Sequence, residues 1–136
     1  MRTIIFGILF VLVLMACSPR KTIPETQQIS QSSAETVSST GQVSIDLTNK
    51  GYHNGQLHMD ISMNTHSVDM SSLNLKELVT LDINGKSYKP IEVPTLAGHH
   101  NSGTLVFEVS EEPKSFTVTI KDVPDVPKRT FKFGGE

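Results

Sequence analysis

The sequence has no tryptophan, a single cysteine, and few aromatic residues, two Tyr and six Phe in 136 positions. One cysteine excludes a disulfide framework, and the lack of Trp and of a Cys pair excludes an antibody-type immunoglobulin domain. The length leaves no room for two ordinary domains. Charge of one sign is also missing, with 12 Lys+Arg against 14 Asp+Glu. No basic patch emerges, so nucleic acid is not an expected partner. Beyond residue 16 there is no long apolar run. The 37% hydrophobic average hides this, because 13 of the apolar residues lie in the first 16 positions.

Those first 16 residues read as a secretory signal, with a basic Arg2, an apolar stretch over residues 4–16 and the small Ala16 at its end. A membrane-spanning helix needs roughly 20 apolar residues, and Ser18-Pro19-Arg20-Lys21 stops this run short. The segment Leu14-Met15-Ala16-Cys17 resembles the bacterial lipobox. That resemblance implies diacylglycerol addition to Cys17, cleavage before it and, in many bacteria, N-acylation. Several acyl chains are needed for firm anchoring, since each buried CH₂ contributes about 0.8 kcal/mol and one chain binds only marginally. The expected location is the cell envelope: the outer membrane if the source has one, since Ser18 rather than Asp follows the cysteine, and otherwise the outer face of the cytoplasmic membrane.

Residues 18–41 contain 13 Ser, Thr or Gln among 24 positions, with apolar residues only as singletons. Such a segment buries too little surface to offset its ordering entropy. It reads, with Cys17, as a flexible lipid-anchored tether over residues 17–41, spanning about 25–30 Å root-mean-square as a coil.

From Gln42 the pattern acquires a period of two. Val43, Ile45 and Leu47 alternate with polar residues, as do Leu57, Met59, Ile61 and Met63. Similar runs follow at Val79-Leu81-Ile83, Leu105-Phe107-Val109, Phe116-Val118-Ile120 and Phe131-Phe133, the signature of half-buried strands. Asn84-Gly85 marks a two-residue hairpin, whose central residues both need positive φ. Gly51 through Gly55 and Glu111 through Lys114 mark further turns, and residues 73–78 have room for one helical turn. About seven short strands over residues 42–136 predict an all-β, immunoglobulin-like β-sandwich, with a small barrel as the competing architecture.

All five histidines, His53, His58, His66, His99 and His100, fall within this domain near Met59, Met63 and Met70. Imidazole and thioether together point to copper, and imidazole with carboxylate to zinc or copper. Strand alternation puts Met59 and Met63 on the core face, as filler, and His58 on the solvated face beside Asp60. His53 reads as a surface turn residue. If successive strands run up and down, every second loop lies at the same end. Residues 65–69, 98–103 and 122–127 then share one end, bringing His66, Asp69, His99 and His100 towards one another, with Asp122 and Asp125 in reach. His66, Asp69, His99 and His100 are the expected metal ligands, with Gly98 and Gly103 permitting the backbone to bend. The alternative is that these histidines hydrogen-bond loop backbone and hold the end together, in a non-catalytic module that binds an envelope protein.

The motifs Thr65-His66-Ser67-Val68-Asp69-Met70, Gly98-His99-His100-Asn101-Ser102-Gly103-Thr104-Leu105 and Arg129-Thr130-Phe131 resemble a family of small secreted prokaryotic domains. Its pattern is T-H-S-V-D-L, then G-G-H-H-x-S-G-x-L, then R-x-F-x-W. This chain has Met70 for Leu, Ala97 for the first Gly and Phe133 for the Trp, and keeps every histidine. The resemblance spans about residues 42–133 and implies domain extent rather than an activity. No activated cysteine, nucleophile elbow or glycine-rich phosphate loop is present, so the chain reads as a non-enzyme.

Overall fold

A computed structural model describes residues 34–135, so Cys17 and the signal segment lie outside the described residues. Eight strands form two antiparallel four-stranded sheets, an all-β sandwich. They are β1 (Thr36–Ser39), β2 (Val43–His53), β3 (Gln56–Thr65), β4 (Val79–Ile83), β5 (Lys86–Tyr88), β6 (His100–Glu108), β7 (Phe116–Val123) and β8 (Val126–Phe133). One sheet runs β1-β2-β3-β6 and the other β5-β4-β7-β8.

The period-two runs become strands because every second side chain has the core to enter. Along β3, Leu57, Met59, Ile61 and Met63 are buried, while His58, Asp60, Ser62 and Asn64 alternate with them on the outer face. Met59 and Met63 are fully buried among the other core side chains, as filler. Phe107, Phe131 and Phe133 supply the largest buried rings, and Phe133 stacks on Phe116 at 5.0 Å between centroids. Asn84 and Gly85 have φ of 50° and 82°, as the hairpin requires. A second such turn, Asn54-Gly55, joins β2 to β3 with φ of 52° and 83°. The single helical turn, α1, spans Leu75–Leu78 and is capped by the Asn74 side chain, which accepts from the Lys76 amide.

The eighth strand corrects the expected domain start. Residues 36–39, expected in the tether, pair with β2 in the register Thr36↔Thr48 through Ser39↔Ile45. Main-chain hydrogen bonding to an open sheet edge does not depend on apolar composition, so a Ser/Thr-rich segment serves as an edge strand. Val37 packs against the core, and the Thr36 and Thr48 hydroxyls are 2.7 Å apart. The fold therefore begins before Gln42. Among the described residues no helix is long and apolar enough to cross a membrane.

Candidate functional site

β3 and β6 are neighbours, and their register ends at Asn64↔His100. This pairing brings the 65–70 loop against the 98–100 segment. Main-chain bonds extend it past the strands, with the Thr65 amide donating to the His99 carbonyl (2.9 Å) and the Met70 amide to the Gly98 carbonyl (3.2 Å). Thr65 is 3% exposed. Its hydroxyl accepts from the Ser67 and Val68 amides, both at 3.2 Å, and so shapes the turn that carries His66. Thr65→Val keeps the shape but leaves two amides without their acceptor. It is expected to lower stability by about 1–3 kcal/mol in urea denaturation; an unchanged midpoint would show that the hydroxyl does not hold this loop.

The four expected ligands lie on these two segments and are all exposed, but they do not converge as one set. His66 and His100 stand edge-on, with ring centroids 5.9 Å apart and planes at 78°. His100 Nδ1 is 3.0 Å from Asn64 Oδ1, and the Asn64 amide nitrogen donates to Ser62 Oγ. His99 Nδ1 is 3.0 Å from the Val68 carbonyl oxygen. Both partners of the histidines are acceptors, so each Nδ1 carries the hydrogen. In the neutral ring this leaves Nε2 with its lone pair directed away from the bond. Asp69 is committed elsewhere. Its Oδ1 accepts from the Ser71 amide at 3.0 Å and caps the 3-10 turn Met70–Ser72. This bond, more than the nearby His99, holds the carboxyl below its ordinary range. Asp125 accepts from the Gln42 amide at the start of β2 and its charge acts on Arg129. Among the described residues no three His, Cys, Asp or Glu side chains are grouped to hold one ion. Of the four, it is the rings of His66 and His100 that stand side by side. Topology delivers residues to one end of the sandwich, but His99 and Asp69 are drawn there to nearby backbone groups.

Two imidazoles on one tetrahedral ion, bound through nitrogens at about 2.0–2.1 Å, have centroids roughly 5–5.5 Å apart, so the His66 and His100 rings, both on exposed side chains, need to close by only a fraction of an ångström. Gly98, at φ 61°, does provide the expected bend, whereas Gly103 is an ordinary strand residue whose lack of a side chain makes room for Pro94. Sequence reasoning missed Asn64 and Thr65, because their roles follow from register and burial at the end of β3. Between this end and the opposite one, the outer face of the first sheet carries a shallow groove of about 300 Å³ lined by Asp46, Thr48, Asp60, Ser62, Ser102 and Thr104.

No protein-family model, curated protein or solved structure matches the chain.

Proposed function

We propose that the chain is a lipid-anchored envelope protein whose immunoglobulin-like sandwich binds one transition-metal ion, Zn(II) or copper, between His66 and His100. The anchor rests on Leu14–Cys17. The finer fold assignment rests on strand order: β2-β3-β6 follows A-B-E of such sandwiches and β4-β7-β8 follows C-F-G. The 91–92 segment, bridged to Val106, takes the place of D.

The metal reading is carried by the 5.9 Å His66–His100 pair, and its chemistry is favoured by the Asn64 bond. A metal-binding histidine ordinarily donates its second ring N–H to a protein oxygen, which fixes the tautomer and raises ligand basicity. Asn64 does this for His100. The remaining coordination positions fall to water. His99 is better matched to the second reading, a loop brace, because its Nδ1 ties the 98–100 segment to Val68.

The test uses the untagged full chain in detergent, with Cys17→Ser so that no free thiol competes. Calorimetry is expected to show Zn(II) or copper binding below about 10 μM, some 7 kcal/mol, and His66→Gln/His100→Gln is expected to remove one equivalent of it. Glutamine retains a donor for Asn64, so melting should be unchanged. Failure of the parent chain to bind either metal would refute the proposal. A metal-free His99→Ala/His100→Ala chain that unfolds would favour the brace reading for both residues.

A further inference from the structure

The opposite end of the same sheet holds a second histidine pair, assembled by a different device. β2 and β3 stay in register from Val43↔Thr65 to Asn49↔Met59, then skip a residue and resume at Gly51↔His58. The Asn49 side chain accepts from the Gly51 amide at 2.9 Å, and Gly51 sits at φ 97°, a conformation that favours glycine. The position directly across from His58 therefore has no side chain. Into this space comes His53, two residues further along β2. A Cβ built on Gly51 would lie 3.6 Å from His53 Nε2, so the imidazole folds back over its own strand. The ring centroids of His53 and His58 are 6.1 Å apart, with planes at 51°.

We propose that His53 and His58 form a second transition-metal site, of two imidazoles completed by water, for Zn(II) or Cu(II). Several observations converge on it. The separation is slightly wider than the roughly 5–5.5 Å of two imidazoles on one tetrahedral ion, a gap that rotation of the two side chains closes. His53 is exposed and His58 half-exposed on the outer face, so water and metal reach both. Asp60, two positions along β3 on that face, is engaged by Lys50 at 3.6 Å and by the Thr104 hydroxyl at 3.0 Å, so the protein ligands are the two imidazoles alone. The bulge explains why alternation alone conceals the pair: without the skipped residue, His53 and Gly51 would not stand where they do relative to His58.

This site is independent of the one at His66 and His100. His58 and Asn64 are six residues apart on β3, about 20 Å at the usual rise, too far for one ion to bridge. The second site thus stands or falls separately from the first.

The untagged full chain carrying Cys17→Ser and His66→Gln/His100→Gln is titrated with Zn(II) and with Cu(II) by calorimetry at pH 7.5. The expected result is one remaining equivalent. Adding His58→Gln, or separately His53→Gln, should weaken it at least tenfold with no change in the melting curve. Absence of that equivalent, or its survival in either glutamine variant, overturns the proposal. Loss of the first site alone leaves this outcome unaffected, because the parent chain then binds one equivalent that His53 and His58 control.

Discussion

Arg129→Ala is expected to lower stability by about 3 kcal/mol, whereas Arg129→Met should stay within about 1 kcal/mol of the parent or exceed it. Arg129 is 2% exposed on the inner face of β8, in register with Ile120. Its Nη2 donates to the Val43 carbonyl at 3.0 Å, while Nε and Nη1 are buried with no hydrogen-bond partner among the described residues. Desolvation lowers its pKa, and the Asp125 carboxylate opposes that shift without cancelling it. Two effects thus compete. A buried guanidinium costs stability, and an apolar side chain of similar volume often matches or improves on such a charge. Its stem also fills space where the start of β2 meets β8, and truncation leaves a cavity and a carbonyl without its donor. Both variants remove the donor to the Val43 carbonyl; methionine keeps most of the volume, and only alanine adds the cavity. A loss of about 3 kcal/mol corresponds to a fall in Tm of roughly 12–24 °C for a domain of this size. Equal loss in both variants would mean that the Val43 hydrogen bond, and not packing, dominates.

Gly103→Val should be similarly costly, by about 2–3 kcal/mol, and should also weaken metal binding at the His66–His100 pair about tenfold. A Cβ at position 103 would lie 2.5 Å from Pro94 Cβ and 3.0 Å from Pro94 Cγ. The connector between β5 and β6 therefore occupies the space that a side chain on β6 would take. Added volume there forces backbone movement, typically at 1–3 kcal/mol. The displaced segment leads directly to the site. Leu96 is buried, the Ala97 amide donates to Asn101 Oδ1 at 2.6 Å, and the Gly98 carbonyl accepts from Met70. Movement of Pro94 is thus transmitted to His99 and His100, and loss of ligand orientation commonly costs 10–100-fold in metal affinity. Calorimetry and denaturant melts on one preparation read both effects. A destabilised variant with unchanged affinity would show that the 98–100 segment is positioned by the 65–70 loop alone.

Much of the sandwich is legible in the sequence because burial imposes a period of two that Val43–Leu47, Leu57–Met63 and Phe116–Ile120 display openly. Asn84-Gly85 announces its turn through the φ it needs. Strand alternation even brings the loops of His66 and His99 to one end, as the Thr65–His99 and Met70–Gly98 bonds show. What escapes such reasoning is anything decided by register or by a neighbour distant in sequence. β1 has the composition of a coil and is a strand because β2 offers an edge. Asp69 has the chemistry of a ligand and is a cap because the Ser71 amide lies next to it. His53 reads as a turn residue until the bulge at Gly51 folds its ring back toward His58. Gly103 reads as a hinge, and the structure uses it as a space.

The central claim is that His66 and His100 share one ion through nitrogens left available by their surroundings. Nitrogen-15 NMR of the imidazole rings tests this most directly, on the full chain with Cys17→Ser and His53→Gln/His58→Gln, titrated with Zn(II). The account predicts that His100 Nε2 and one ring nitrogen of His66 shift in step and saturate at one equivalent, while His100 Nδ1 keeps its proton on Asn64. Histidine resonances that stay in place at several equivalents, in a chain that remains folded, would contradict it.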